Sequence, residues 1–277
     1  MTLHVTEYGP PEGDELLAVH GITSNGRAWD TVASLLPHHR ILAPDLRGRG
    51  RSGGLPGPFG LRRHADDLAD LLDAGPARPR IVAGHSMGAF VAVMLAARHP
   101  GLVARLVLID GGLPLVLPPG RTPGDTAELL GPAAERLAMR FADEEAYLAF
   151  WRAHPAIGPY WTSEFEDYAR YDLTGTRPEL RASASSEAMI VDGAELYGPD
   201  WYLAALTALE LPVTVLRAPR GLTDAEPLYA PGALEGHRSV VPQLEIVEVP
   251  DVNHYTILFT RDGAEAVAHA ISEGAHP

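Results

Sequence analysis

A chain of 277 residues is long enough for one large α/β domain, or for a core domain carrying an insertion. Its composition is globular, with 46% hydrophobic and 21% charged residues; a formal net charge of −14 argues against nucleic-acid or anionic-membrane partners and favours neutral or cationic substrates. The absence of cysteine excludes disulfides, thiolate catalysis and cysteine metal sites, and since all 22 basic residues are Arg, lysine Schiff-base and pyridoxal-phosphate chemistry are excluded as well.

The N-terminal stretch Met1-Thr-Leu-His-Val-Thr-Glu7 has no basic region followed by a long apolar core, and no apolar run approaches about 18 residues. The expectation is therefore a soluble cytoplasmic protein. Val5 and its neighbours suit an edge strand, and residues 16–19 form a firmer strand that runs into His20-Gly21-Ile22-Thr-Ser-Asn-Gly26. A helix is predicted over 28–36, with Trp29, Val32, Leu35 and Leu36 on one face and Pro37 ending it. Residues 41–43 read as the next strand, leading into Pro44-Asp45-Leu-Arg-Gly-Arg-Gly-Arg-Ser-Gly53. Helical spacing over 61–72, a strand at 81–83 with an Ala-rich helix after it, and a buried strand at 106–109 ending on Asp110 complete the first half. Strands alternating with helices at this rhythm imply a mostly parallel sheet covered on both faces.

From 113 to 209 the rhythm changes and no convincing strand is found. Helices are predicted around 126–141, 144–153, 164–171, 179–189 and 201–209, the third opening on a capping box in Ser163-Glu-Phe-Glu166. This reads as a helical cap at 113–209 inserted into an α/β core made of 1–112 and 210–277. The insertion holds 12 of the 19 aromatic residues. Aromatics build small helical cores, but a lid over a sheet must also present some of them downward, so an apolar, aromatic-lined cavity is expected. Trp151, Trp161 and Tyr255 are the candidate substrate contacts. Strands at 212–216 and 244–249, a loop at 250–254 and a helix at 264–271 close the chain.

The chemistry-bearing residues fall at the carboxyl ends of the predicted strands, where reactive groups collect in such sheets: His20-Gly21, Asp45, Ser86 and Asp110. Ser86 stands between two glycines in Gly84-His85-Ser86-Met87-Gly88, at a strand-to-helix turn. That turn is so tight that its flanking positions tolerate almost no side chain, and it holds the hydroxyl clear of the backbone. Gly48, Gly50 and Gly53 spell G-x-G-x-x-G, but Pro56 and Pro58 separate them from the next helix, which a dinucleotide site would need at once. Nucleotide binding is not expected. No His-Glu-x-x-His or carboxylate–histidine cluster suggests a metal.

Val19-His20-Gly21, Asp45-Leu-Arg-Gly-Arg-Gly-Arg-Ser52, Gly84–Gly88, the strand ending at Asp110 and a histidine after the last strand occur in the order found in the α/β-hydrolase family. Over nearly its whole length the chain resembles that family in its form with a helical cap. The resemblance implies an α/β-hydrolase fold with Ser86 as nucleophile and His254 as the base that removes its proton. The family usually has Gly before this histidine; here it is Asn253, the commonest substitute where φ is positive. The family usually takes the triad acid from the loop after the penultimate strand, where Asp224 and Glu226 lie, although Ala218-Pro-Arg-Gly221 replaces the familiar Gly-x-x-Asp. Some members take it from the preceding strand end, here Asp110. Asp224 is weighed first, Asp110 second and Glu226 third. The resemblance also assigns the oxyanion donors to the backbone N–H groups of Ile22 and Met87, with their side chains lining the cavity, and gives His20 a structural part.

The expected activity is hydrolysis of a carboxylic ester or lactone with a hydrophobic or aromatic body, through an acyl-enzyme. Serine at the elbow, where epoxide- and halide-processing relatives carry aspartate, speaks against both of those chemistries. The alternatives are carbon–carbon bond hydrolysis of a diketone by the same triad, a cofactor-free haloperoxidase-type side activity, and a slow-turnover ligand receptor. A small-molecule substrate, no cofactor, no metal, no nucleic-acid or membrane partner and a monomer or homodimer complete the expectations.

Overall fold

The computed structural model of the chain describes residues 2–76 and 78–273; residues 1, 77 and 274–277 of the expected core segments lie outside it. In chain order, β1 (Val5–Tyr8) and β2 (Asp14–Val19) precede a 3-10 turn at Gly26–Trp29 and the short helix α1 (Asp30–Ser34). β3 (His39–Pro44), α2 (Leu61–Asp73), β4 (Arg80–His85), α3 (Met87–Arg98) and β5 (Val103–Ile109) follow. Next come α4 (Thr126–Leu130), α5 (Pro132–Ala138), α6 (Glu144–Arg152) and α7 (Ser163–Asp172), then β6 (Leu173–Thr174), β7 (Arg181–Ala182), α8 (Ser186–Ala194) and α9 (Asp200–Thr207). β8 (Val213–Arg217), β9 (Leu244–Glu248), α10 (Thr256–Phe259) and α11 (Arg261–Ser272) close the described chain.

Seven strands form one sheet in the order β1-β3-β2-β4-β5-β8-β9, parallel throughout except for β1 on β3. Successive side chains of a strand point to opposite faces, and the central strands are apolar on both. Leu17, Val19, Val82, Leu106 and Leu108 pack on one face with Leu68, Leu72 and Phe90 of α2 and α3. Leu16, Ala18, Ala83, Val107 and Ile109 pack on the other with Val32, Val267 and Ile271 of α1 and α11. The chain has the α/β-hydrolase fold. Among the described residues no helix is long and apolar enough to cross a membrane.

The segment between β5 and β8 departs from its sequence reading in three places. The helix expected over 126–141 is two helices, because Gly131 takes φ 51° and Pro132 starts α5 afresh. The capping box expected at Ser163 and Glu166 does not form. Thr162 is the cap, its Oγ1 accepting from Phe165 N at 3.1 Å, while Glu166 accepts from Trp161 Nε1 at 3.0 Å. The helix expected over 179–189 begins only at Ser186. Before it, β6 and β7 pair antiparallel, and Leu180 bridges Phe141, so the stretch read as free of strands holds a short hairpin. Gly175, at φ 94°, turns the chain there, a conformation open to glycine at no steric cost.

Candidate active site

The turn from β4 to α3 is built as its glycines predict. A Cβ at Gly84 would sit 2.4 Å from Gly88 O, and one at Gly88 would sit 2.2 Å from Val19 O. Between them Ser86 adopts φ 54° and ψ −124°, a strained backbone for a residue with a side chain. Its amide donates to Ile109 O at 2.9 Å, which ties the elbow to the end of β5. Met87 opens α3, so its N–H has no partner within the helix.

At the end of β5, Asp110 takes φ 44° and is fully buried. Its amide donates to Leu216 O at 2.7 Å, and its Oδ1 accepts from Ala218 N at 3.1 Å. The other oxygen, Oδ2, lies 2.6 Å from Nδ1 of His254, which is itself 3% exposed. A carboxylate on Nδ1 holds the proton there and leaves Nε2 as the acceptor. Ser86 and His254 line the same cavity, with no hydrogen bond between them among the described residues. Hydrogen bonds of this kind are often loose before substrate binds.

Asp224, the residue weighed first as the acid, does not reach the imidazole. Its Oδ1 accepts from Asn253 Nδ2 at 2.8 Å, and its Oδ2 accepts from Tyr160 at 3.3 Å and faces Arg220 at 3.4 Å. The late position of Asp224 in its loop brings the carboxylate to the residue before the histidine instead of to the ring. Glu226 does not contact His254 either; it is exposed and stands at the rim of the cavity. Asn253 is not among the positive-φ residues, so its presence has another cause. Its side chain accepts from the amides of Tyr255 and Thr256, each at 2.9 Å, and donates to Ala156 O and Asp224, which folds the chain into α10.

The loop after β2 approaches the elbow closely, since a Cβ on Gly21 would sit 3.1 Å from Ser86 Cβ. Ile22 lines the cavity as expected, whereas the Met87 side chain does not; its sulfur lies 3.9 Å from Arg49 Nη2 in the interior. His20 has the structural part expected of it. Its Nδ1 donates to Gly21 O at 2.8 Å and its Nε2 accepts from Leu46 N at 3.0 Å, and burial pushes it down to about 4, so it stays neutral.

The cavity measures about 420 Å³. Trp151 and Tyr255 line it, together with Tyr168, Phe259 and leucines from both the core and the helical segment. Trp161 does not. Its indole N–H is engaged by Glu166, and the Arg152 guanidinium lies 4.9 Å over its ring, which keeps it at the surface. No Arg is among the cavity-lining residues described, and Glu226 is the one carboxylate among them. A larger cleft of about 790 Å³, at Gly50, Arg140 and Arg181, contains neither Ser86 nor His254. Among the described residues no group of three His, Cys, Asp or Glu side chains is placed to hold a metal ion.

His85 was given no role by the sequence. It is buried beside the nucleophile, donates from Nε2 to His254 O at 2.8 Å and lies 4.6 Å from the His254 ring, with burial holding it well below the ordinary histidine range. Its place in the Gly84–Gly88 motif was a signal that it stood near the site, but nothing local revealed the partner.

The profile of the alpha/beta hydrolase fold family matches residues 15–258. The 2-(acetamidomethylene)succinate hydrolase of Mesorhizobium japonicum is 30% identical over 260 residues, covering 92% of this chain and 86% of that one. Lipase LipV of Mycobacterium tuberculosis is 44% identical over 113 residues, 41% of this chain and 43% of the lipase, so the match spans less than half of that relative. Among solved structures, E-2-(acetamidomethylene)succinate hydrolase superposes with a TM-score of 0.79 at 26% identity, covering 98% of this chain and 94% of the other.

Proposed function

The chain belongs to the α/β-hydrolase family, and from that premise we propose that it is a serine hydrolase cleaving a carboxylic ester or lactone with a hydrophobic body. One constellation carries this reading. Ser86 sits on a positive-φ elbow in the same cavity as His254, whose Nδ1 is held by the buried carboxylate of Asp110 at 2.6 Å. In this mechanism Ser86 Oγ attacks the acyl carbon while His254 Nε2 takes its proton. The Ile22 and Met87 amides meet the developing oxyanion, and His254 returns the proton to the departing alkoxide. Water, deprotonated by His254, then attacks the acyl-enzyme and releases the acid. Asp110 is the triad acid in this scheme, orienting the imidazole and stabilising its charged form. We read 113–209 as the cap over this site, with 1–112 and 210–277 as the core.

The apolar lining supports a neutral acyl or alcohol part. The relative from M. japonicum is named for a succinate derivative, and a bound carboxylate calls for a cation that the lining described does not supply, with Glu226 at the rim instead. A fluorophosphonate probe is expected to label the wild type and to leave Ser86→Ala unlabelled. p-Nitrophenyl butyrate is expected to be hydrolysed at least about tenfold faster than a p-nitrophenyl succinate half-ester, as one unpaired charge in an apolar site is worth more than 1.4 kcal/mol. Binding of esters without labelling or turnover would turn the reading toward a receptor.

A further inference from the structure

Two buried guanidinium groups grip the loop after β2. Arg49 Nε donates to Ile22 O at 2.9 Å, and Arg136 Nη2 donates to Thr23 O at 2.8 Å, so two successive carbonyls of the loop are each held by a cation. Both arginines are 0% exposed. They come from different places, Arg49 from the turn after β3 and Arg136 from α5. Each is matched by an aspartate of the helical segment. Asp192 of α8 lies 2.5 Å from Arg49 Nη1, and Asp172, the last residue of α7, pairs with Arg136 Nη1. Asp192 is further held by His64 Nε2 at 2.9 Å and Gly60 N at 2.6 Å.

An ion pair at the surface contributes little, whereas a buried one stripped of a partner leaves an uncompensated charge in the interior. Buried pairs are a common glue between layers, and that bland role would require no particular acceptor on the far side. Here both guanidinium groups end on the two successive peptide carbonyls that follow the amide used in the proposed mechanism. We propose that Arg49 and Arg136 are positioning residues for the oxyanion loop, and that Asp192 and Asp172 make the helical segment part of that device. Held by carbonyls 22 and 23, the loop keeps the Ile22 N–H preorganised beside Ser86, which is where such donors act without reorganising during reaction. Lifting α5, α7 and α8 away as a unit would strip Asp192 from the buried Arg49 guanidinium and part Arg136, still paired with Asp172, from Thr23 O, so the segment stays docked through turnover. The inference rests on the hydrolase reading of Ser86.

The test compares Asp192→Asn and Asp172→Asn with Arg98→Met, which removes one partner of the half-exposed Arg98–Asp66 pair. Each is assayed on p-nitrophenyl butyrate and with an aliphatic trifluoromethyl ketone. Ser86 Oγ adds to the ketone carbon, its proton passes to His254, and the adduct carries the oxyanion. The expected result for both aspartate variants is a kcat lower by about 10- to 100-fold with KM within about threefold, and an inhibition constant raised by the same factor as kcat/KM falls. Arg98→Met is expected to match the wild type. Melting curves check the fold; if an aspartate variant does not fold, Arg49→Lys and Arg136→Lys, which keep the charge and lose the fork, take its place. Folded variants with unchanged kcat and inhibition constant overturn the proposal, as does a loss confined to KM. A wild type that neither turns over ester nor reacts with fluorophosphonate sinks the hydrolase reading and this one with it.

Discussion

Two loops at the same end of the sheet carry an aspartate in the left-handed region, Asp110 at φ 44° after β5 and Asp224 at φ 62° after β8. Both lie within one side chain of the histidine turn, and their outcomes differ. Asp110 is buried, tied by its own amide and by Ala218 N, and leaves one oxygen for the ring. Asp224 is partly exposed and shared among Asn253, Tyr160 and Arg220, so no oxygen is left to point at His254. A carboxylate's role in such a site follows from where its lone pairs are aimed. Residue type and backbone region are the same in both loops and do not distinguish them.

The comparison is broken most directly by isosteric amides. Asp110→Asn is expected to lower kcat by about 10³- to 10⁴-fold, since the amide no longer fixes the working tautomer or stabilises the charged imidazole. Asp224→Asn, measured in the same assay, is expected to stay within about threefold of wild type; the reverse ranking would restore the loop after β8 as the source of the acid. A glycine in each loop sharpens the contrast. A Cβ on Gly111 would sit 2.2 Å from Ser86 O, and one on Gly221 would sit 2.1 Å from Glu226 O. Gly111→Ala is expected to shift the elbow and reduce kcat by on the order of 10²-fold, the usual result of misplacing a reacting group by about 1 Å. Gly221→Ala should lower the melting temperature while kcat holds, because the strain is confined to the loop whose aspartate does not meet the imidazole.

Acid titration gives the most graded effect. Burial pushes His20 from its ordinary 6.5 down to about 4 and holds His85 well below the usual range. Both bind a proton more readily in the unfolded chain; the His20 contribution to stability is complete above pH 6.5 and is lost as the pH falls through about 4, and that of His85 is lost in the same direction. For His20 the loss is on the order of 3 kcal/mol. His20→Asn is therefore expected to flatten the fall of melting temperature between pH 7 and pH 4, and Asp224→Asn to leave that slope unchanged. A slope that responds to Asp224 and not to His20 would contradict this assignment of the acid-labile groups.

Much of this was legible beforehand. The continuous apolar runs of β2 and β4, the elbow glycines and the histidine after the last strand are local patterns, and local patterns survive in one dimension. The helical segment was harder to read. Gly131-Pro132 cut a helix that its apolar spacing had joined, and the hairpin of β6 and β7 is two residues deep, too short for alternation to register. Trp161 and Trp151 are ten positions apart and equally aromatic, yet one is held outward by Glu166 and Arg152 while the other lines the cavity.

The order of residues along the chain determined the α/β-hydrolase architecture, the tight turn at Ser86 and the candidacy of His254, because each depends on neighbours a few positions away. Tertiary structure alone decided which aspartate meets the imidazole, which tryptophan faces the cavity and which carbonyls the buried arginines hold. The contacts of Asp110 with His254 and of Arg136 with Thr23 join residues 144 and 113 positions apart. Their direction is set by the packing of a sheet and its helices, and no short stretch of sequence encodes it.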